Sequence, residues 1–119
     1  MRILIVEDEE LAVRKLSKML VGINPQIEIT AVTDSIVSTT SWLKNNPTPD
    51  LILMDIELSD GQSFEIFRRV DISCPVVFTT SYDETAVKTF NLGEKEYLLK
   101  PIQKDELESY LKKYSPSGF

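Results

Sequence analysis

Histidine is absent from this 119-residue chain, cysteine occurs once, and only 4 glycines and 6 prolines punctuate it. The single Cys74 rules out an internal disulfide and fits a reducing compartment. No apolar run approaches the roughly 18 residues that a membrane-spanning helix needs. Met1-Arg2-Ile3 opens directly into an apolar run. Basic residues are in deficit, 13 against 19 acidic, for a net charge of −6. That balance argues against this segment gripping nucleic acid through phosphate contacts, which require a basic face. It leaves open a DNA-binding domain elsewhere. No internal repeat, low-complexity tract or linker precedes Ser115. These absences point to a cytoplasmic protein with no membrane association. What remains, at 42% hydrophobic and 27% charged, is the composition of an ordinary globular chain. Its length suits one domain that buries roughly two-thirds of its unfolded surface.

The most informative stretch is Leu51-Ile-Leu-Met-Asp55, a short apolar run that ends abruptly on a carboxylate. Ile3-Leu-Ile-Val6 ends likewise on Glu7 and Asp8, and Tyr97-Leu-Leu99 ends on Lys100 followed by Pro101. Runs of this length with polar bounds read as strands of a parallel sheet buried on both faces. Ligands of such sheets sit just beyond the carboxyl ends of the strands. Three runs that deliver acids, an acid and a lysine to one edge describe a cation-and-phosphate site with Asp55 at its reactive centre.

Between the strands the periodicity turns helical. Residues 9–21 space Leu11, Leu16, Met19 and Leu20 for one face, with Asp8 as N-cap, Glu9 and Glu10 in the first turn, and Gly22 and Asn24-Pro25 as the stop. Residues 27–32 alternate as an edge strand. Asp34 or Ser35 caps a second helix to about Asn45, with Ile36, Trp42 and Leu43 inward. After the turn Asn46-Pro47-Thr48-Pro49 comes the 51–54 strand. The Asp60-Gly61 turn follows, and Ser63 caps a helix through Val70. Residues 75–80 form the fourth strand, 83–92 the fourth helix closed by Gly93, 97–99 the fifth strand and 104–113 the last helix. A β-α unit repeated five times implies an α/β fold with a parallel sheet, right-handed crossovers and helices on both faces.

If the first and third strands are neighbours, Glu7 and Asp8 lie near Asp55. Three such carboxylates repel one another and raise one another's pKa, and a divalent cation relieves this. With oxygen ligands alone the donor set favours Mg²⁺ over Zn²⁺. Glu9 and Glu10 read instead as complements to a helix N-terminus, and Asp8 fits either reading. Asp55 taken alone is a strand-end aspartate. Lys100 and the Thr80 hydroxyl, each ending a further strand, change that: they can hold phosphoryl oxygens while Asp55 attacks in line, the chemistry of an aspartyl phosphate. Cys74 reads as packing, as do Trp42, Phe64, Phe67 and Phe90, and Lys104, Lys112 and Lys113 as a solvated helix face.

The chain resembles the receiver domain of two-component response regulators over almost its whole length. The carrying pieces are Ile3-Leu-Ile-Val-Glu-Asp-Glu9, Leu51-Ile-Leu-Met-Asp-Ile-Glu-Leu-Ser-Asp-Gly61, Val77-Phe-Thr-Thr-Ser-Tyr-Asp83 and Tyr97-Leu-Leu-Lys-Pro101. The last two resemble the receivers joined to LytTR-type DNA-binding domains. The resemblance implies a flavodoxin-like, doubly wound sheet of order 2-1-3-4-5. It also implies that Asp55 accepts a phosphoryl group from a histidine kinase. Asp8 would ligate Mg²⁺ directly, Glu7 directly or through water, and the Glu57 backbone carbonyl would add a ligand. Thr80 and Lys100 would hold the phosphoryl group, Tyr97 would be the rotameric switch, and Lys100-Pro101 would be cis. Residues 1–114 would form the receiver, and 115–119 a tail or the start of a linker to an output domain. The face formed by the fourth helix, fifth strand and last helix would dimerise or release that output, and DNA would be reached only through it. Three positions depart from the common pattern: Glu7 for Asp, Ser81 for a small residue, and Glu94 after Gly93. An aspartyl phosphatase would need a second aspartate at position 57, which is Glu, and an insertion to enclose substrate. An FMN carrier would need a Ser/Thr/Gly loop where Glu7-Asp-Glu-Glu10 repels phosphate. A phosphate-independent interaction domain would be expected to have lost some of Asp8, Asp55, Thr80 and Lys100.

Overall fold

The computed structural model describes residues 1–81 and 95–116. Its centre is a five-stranded parallel sheet of β1 (Arg2–Val6), β2 (Glu28–Thr33), β3 (Leu51–Asp55), β6 (Val76–Thr80) and β7 (Tyr97–Leu99). The order is β2-β1-β3-β6-β7. This is the expected 2-1-3-4-5 order. The numbering differs because a small antiparallel hairpin, β4 (Glu57–Leu58) and β5 (Gly61–Gln62), intervenes after β3. The Asp60-Gly61 turn lies in that hairpin, where Gly61 adopts φ +136°, a conformation other residues rarely reach.

The apolar runs behave as sheet interior because successive side chains alternate between two cores. Ile3, Ile5, Leu51 and Leu53 pack on one face with Leu16 and Leu20 of α1 (Glu10–Ile23) and with Leu107 and Leu111 of the C-terminal helix (Lys104–Tyr114). Leu4, Val6, Ile52 and Met54 pack on the other with Ile36 of α2 (Ile36–Asn45) and Ile66 of α3 (Ile66–Arg69). β2 is the sheet edge that its alternating pattern predicted.

The helix ends depart from expectation in informative ways. Glu9, not Asp8, occupies the N-cap of α1, and no side chain caps it. Leu11 is 62% exposed: it lies five residues before Leu16, about 140° around the helix and off the Leu16–Leu20 stripe. Gly22 does not stop α1. The helix ends at Ile23, and its C-cap Asn24 has the extended backbone that a residue preceding proline prefers. Ser35 does cap α2, through a capping box with Ser38. The Asp60 carboxylate adds a second cap, accepting from the backbone of Ile36 at 2.8 Å and Val37 at 3.2 Å.

Ser63 is not a cap. Its segment opens as a 3₁₀ turn (Ser63–Glu65), its amide donates to the Ile56 carbonyl at 2.8 Å, and its buried hydroxyl finds no hydrogen-bond partner among the described residues. The α-helical part is therefore one turn long. Phe64 packs edge-on against Phe78, whereas Phe67 is 42% exposed rather than core. Trp42 and Leu43 pack half-buried against the second core. The expected fourth helix at 83–92, with Phe90, Gly93 and Glu94, lies outside the described residues. Among the described residues no helix is long and apolar enough to cross a membrane.

Candidate functional site

Strand register assembles the site. Val6 pairs with Met54, so the residues that follow, Glu7 and Asp55, leave the sheet side by side. Asp55 pairs with Thr79 and Thr80 with Leu99, which brings Thr80 and Lys100 to the same edge. The Lys100 amide donates to the Thr80 carbonyl at 2.7 Å, and the Glu7 amide to the Thr33 carbonyl at 2.9 Å. Lys100-Pro101 is cis, as the resemblance implied.

The side chains meet there. Carboxylate oxygens of Glu7, Asp8 and Asp55 lie within 4.8 Å of one another. The Lys100 ammonium spans two of them, 2.5 Å from Glu7 Oε1 and 3.0 Å from Asp55 Oδ2. Glu7 and Asp55 are almost wholly buried, at 4% and 7% exposure, and buried carboxylates of this kind require partners. Besides Lys100 they use backbone donors: Glu9 N–H to Glu7 Oε2 at 3.2 Å and Glu57 N–H to Asp55 Oδ1 at 3.3 Å. Burial pushes the Lys100 ammonium toward lower pKa, but its bonds to Glu7 and Asp55 and their charges outweigh this and raise it. Partial desolvation and a hydrogen bond with Glu7 push the Asp8 carboxyl up, although Asp8 stays exposed at the cleft.

Thr80 is buried at 1% exposure at the end of β6, beside these groups. Glu57 opens the hairpin, so its peptide borders Asp55. Tyr97 opens β7, half-buried against the second core. A cleft of about 1040 Å³ lies over the strand ends, floored by Glu7, Asp8 and Asp55 and walled by Leu11, Met19 and Lys104. Six of the seven residues singled out from the sequence, Glu7, Asp8, Asp55, Glu57, Thr80 and Lys100, thus border this cleft, whereas Tyr97 stands at the start of β7, packed against the second core. The direct Glu7–Lys100 pair was not foreseen, nor was the cleft wall. The offset of Leu11 from the Leu16–Leu20 stripe was the available sign of the latter.

Residues 3–112 match the family model for the response regulator receiver domain. The chain belongs to this family. It is similar to the sensory transduction protein LytT of Enterococcus faecalis, 35% identical over 118 residues covering 97% of this chain and 48% of that protein. LytT of Bacillus subtilis is likewise 35% identical over 117 residues, 96% of this chain and 48% of that protein. The crystal structure of the response regulatory domain of mrkE from Klebsiella pneumoniae superposes with a TM-score of 0.78 at 29% identity, covering 98% of this chain and 97% of that one. The receiver spans about half the length of the curated relatives it matches. Its function class follows: it is the receiver domain of a two-component response regulator.

Proposed function

We propose that Asp55 is the phosphoryl acceptor of this receiver, and that a histidine kinase is the donor. One observation carries the reading. The buried Asp55 carboxylate is bound by the ammonium of Lys100 inside a cluster of three carboxylates at the sheet edge. In the transfer, the bond to phosphorus forms at an Asp55 oxygen as the phosphorus–nitrogen bond of the donor phosphohistidine breaks, its electron pair leaving with the imidazole. Lys100 then pairs with a phosphoryl oxygen, and the Thr80 hydroxyl donates to another.

The donor set fits a hard divalent cation, because it is all oxygen and its members lie within 4.8 Å of one another. Asp8, Asp55 and the Glu57 carbonyl would hold Mg²⁺, with Glu7 ligating directly or through water. Bound there, Mg²⁺ supplies charge neutralisation for the transferred group. Hydrolysis of the acyl phosphate at the same site would return the receiver to its resting state.

Downstream, Thr80 and Tyr97 would form the switch, biasing a face that includes β7 and the C-terminal helix toward self-association or release of an output domain; the fourth helix expected in that face lies outside the described residues. Residues 1–114 would be the receiver and 115–119 a tail or the start of a linker. DNA would be reached only through the output, with the protein in the cytoplasm.

Incubation with Mg²⁺ and acetyl phosphate should add one acid-labile phosphoryl group by mass, and beryllofluoride should bind in its place. Asp55→Asn should abolish both. An adduct that survives Asp55→Asn would overturn the assignment.

A further inference from the structure

Leu11 and Lys104 take no part in the acid cluster, yet both wall the cleft that opens over Asp55. Leu11, Lys15 and Met19 follow one another at intervals of four along α1 and so share one face of it. The cleft continues along that face to Gly22, a span of about 16 Å from Leu11. Ile102 and Lys104 complete the wall from the segment that follows β7. Leu11 is 62% exposed, an apolar side chain that the core leaves to the cleft. The trough is therefore far longer than a phosphoryl group, apolar along Leu11, Ala12, Met19 and Ile102, and cationic at Lys15 and Lys104.

In an in-line transfer the leaving group departs from the side of phosphorus opposite the attacking Asp55 oxygen, and so into this trough. A neutral imidazole gains little from a cation there, whereas a departing carboxylate gains an ion pair. We propose that the trough admits acyl phosphates with a short aliphatic chain as direct phosphoryl donors, the chain lying along Leu11, Ala12, Met19 and Ile102 and the departing carboxylate pairing with Lys104. This rests on the reading of Asp55 as phosphoryl acceptor. The bond to phosphorus forms at an Asp55 carboxylate oxygen as the bond between phosphorus and the acyl oxygen breaks. The electron pair stays on that oxygen, giving a free carboxylate, and no proton or redox partner is required. Each added methylene meets more of the apolar wall. Full burial of a methylene is worth about fourfold in an equilibrium or rate constant, and a wall open to solvent on one side about half of that.

The test compares acetyl, butyryl and hexanoyl phosphate on the whole chain with Mg²⁺, reading the second-order rate constant for the acid-labile adduct by mass. Hexanoyl phosphate should react at least about tenfold faster than acetyl phosphate, with butyryl phosphate between them. Leu11→Ser, at an exposed position that spares the core, should flatten this dependence on chain length. Phosphoramidate, whose leaving group is neutral ammonia, isolates the cation. Lys104→Met should slow acetyl phosphate about two- to fivefold more than phosphoramidate, the range of an ion pair open to solvent. Rates independent of chain length would leave the wall as a face for docking a protein and overturn the proposal. A chain-length dependence that survives Leu11→Ser, or equal losses for both donors in Lys104→Met, would overturn it too. The acceptor reading fails differently. No adduct from any donor refutes Asp55 as acceptor and this proposal together, whereas an adduct from acetyl phosphate with no gain from longer chains refutes this proposal alone.

Discussion

Asp60 and Asp8 show one side-chain type tuned in opposite directions by its neighbours. Hydrogen bonds from the backbone of Ile36 and then Val37 hold the Asp60 carboxyl below the usual range, whereas desolvation and Glu7 push Asp8 above it. A depressed folded-state pKa stabilises the fold above the unfolded-state value and loses that contribution as pH falls through the folded-state value. The stability difference between the unmodified chain and Asp60→Asn should therefore be present at pH 7 and shrink below about pH 4, measured by urea unfolding at each pH. Cys74 is a third case. Burial pushes its thiol up, and the nearby Asp50 charge adds to this. Alkylation by iodoacetamide at neutral pH should run slower in the folded protein than in urea, since only the thiolate reacts. Equal rates would contradict the half-buried environment of Cys74.

At the scale of elements, the strands of the main sheet were legible in the sequence, as were the end of α2 at Asn45 and the start of the C-terminal helix at Lys104, but not every N-cap. β3 and β7 end where an apolar run meets Asp55 or Lys100, and that boundary is a property of the run itself. Asp8, Ser35 and Ser63 all have N-cap chemistry, and tertiary contacts decide among them. Asp8 is drawn to Glu7, Ser63 is buried with its amide on Ile56, and only Ser35 caps a helix. The same limit applies to the site. Sequence could place Glu7, Asp55 and Lys100 at one edge, but the choice of Glu7 as a partner for Lys100 is made by ångström-scale reach across 93 residues. Ser35→Ala removes the capping box and should destabilise the protein by about 1 kcal/mol in chemical denaturation, with the site unaffected.

For the molecule as a whole, the two cores share the strands between them. Leu53, 1% exposed in the core beneath α1 and the C-terminal helix, sits two residues before Asp55. Leu53→Ala should destabilise the fold by about 2–5 kcal/mol, with the loss visible as a lowered thermal midpoint. β1 and β3 have neighbours on both sides, whereas among the described residues β7 pairs only with β6 and Leu99 is 40% exposed. Amide hydrogen exchange should therefore be faster in β7 than in β1 or β3. The chemistry is divided along the same line. The acids follow the two strands paired on both sides, and the lysine follows a strand that, among the described residues, is paired on one side only. A change of charge at this site therefore bears on anions anchored in doubly paired strands and on a cation that follows a strand paired, among the described residues, on one side.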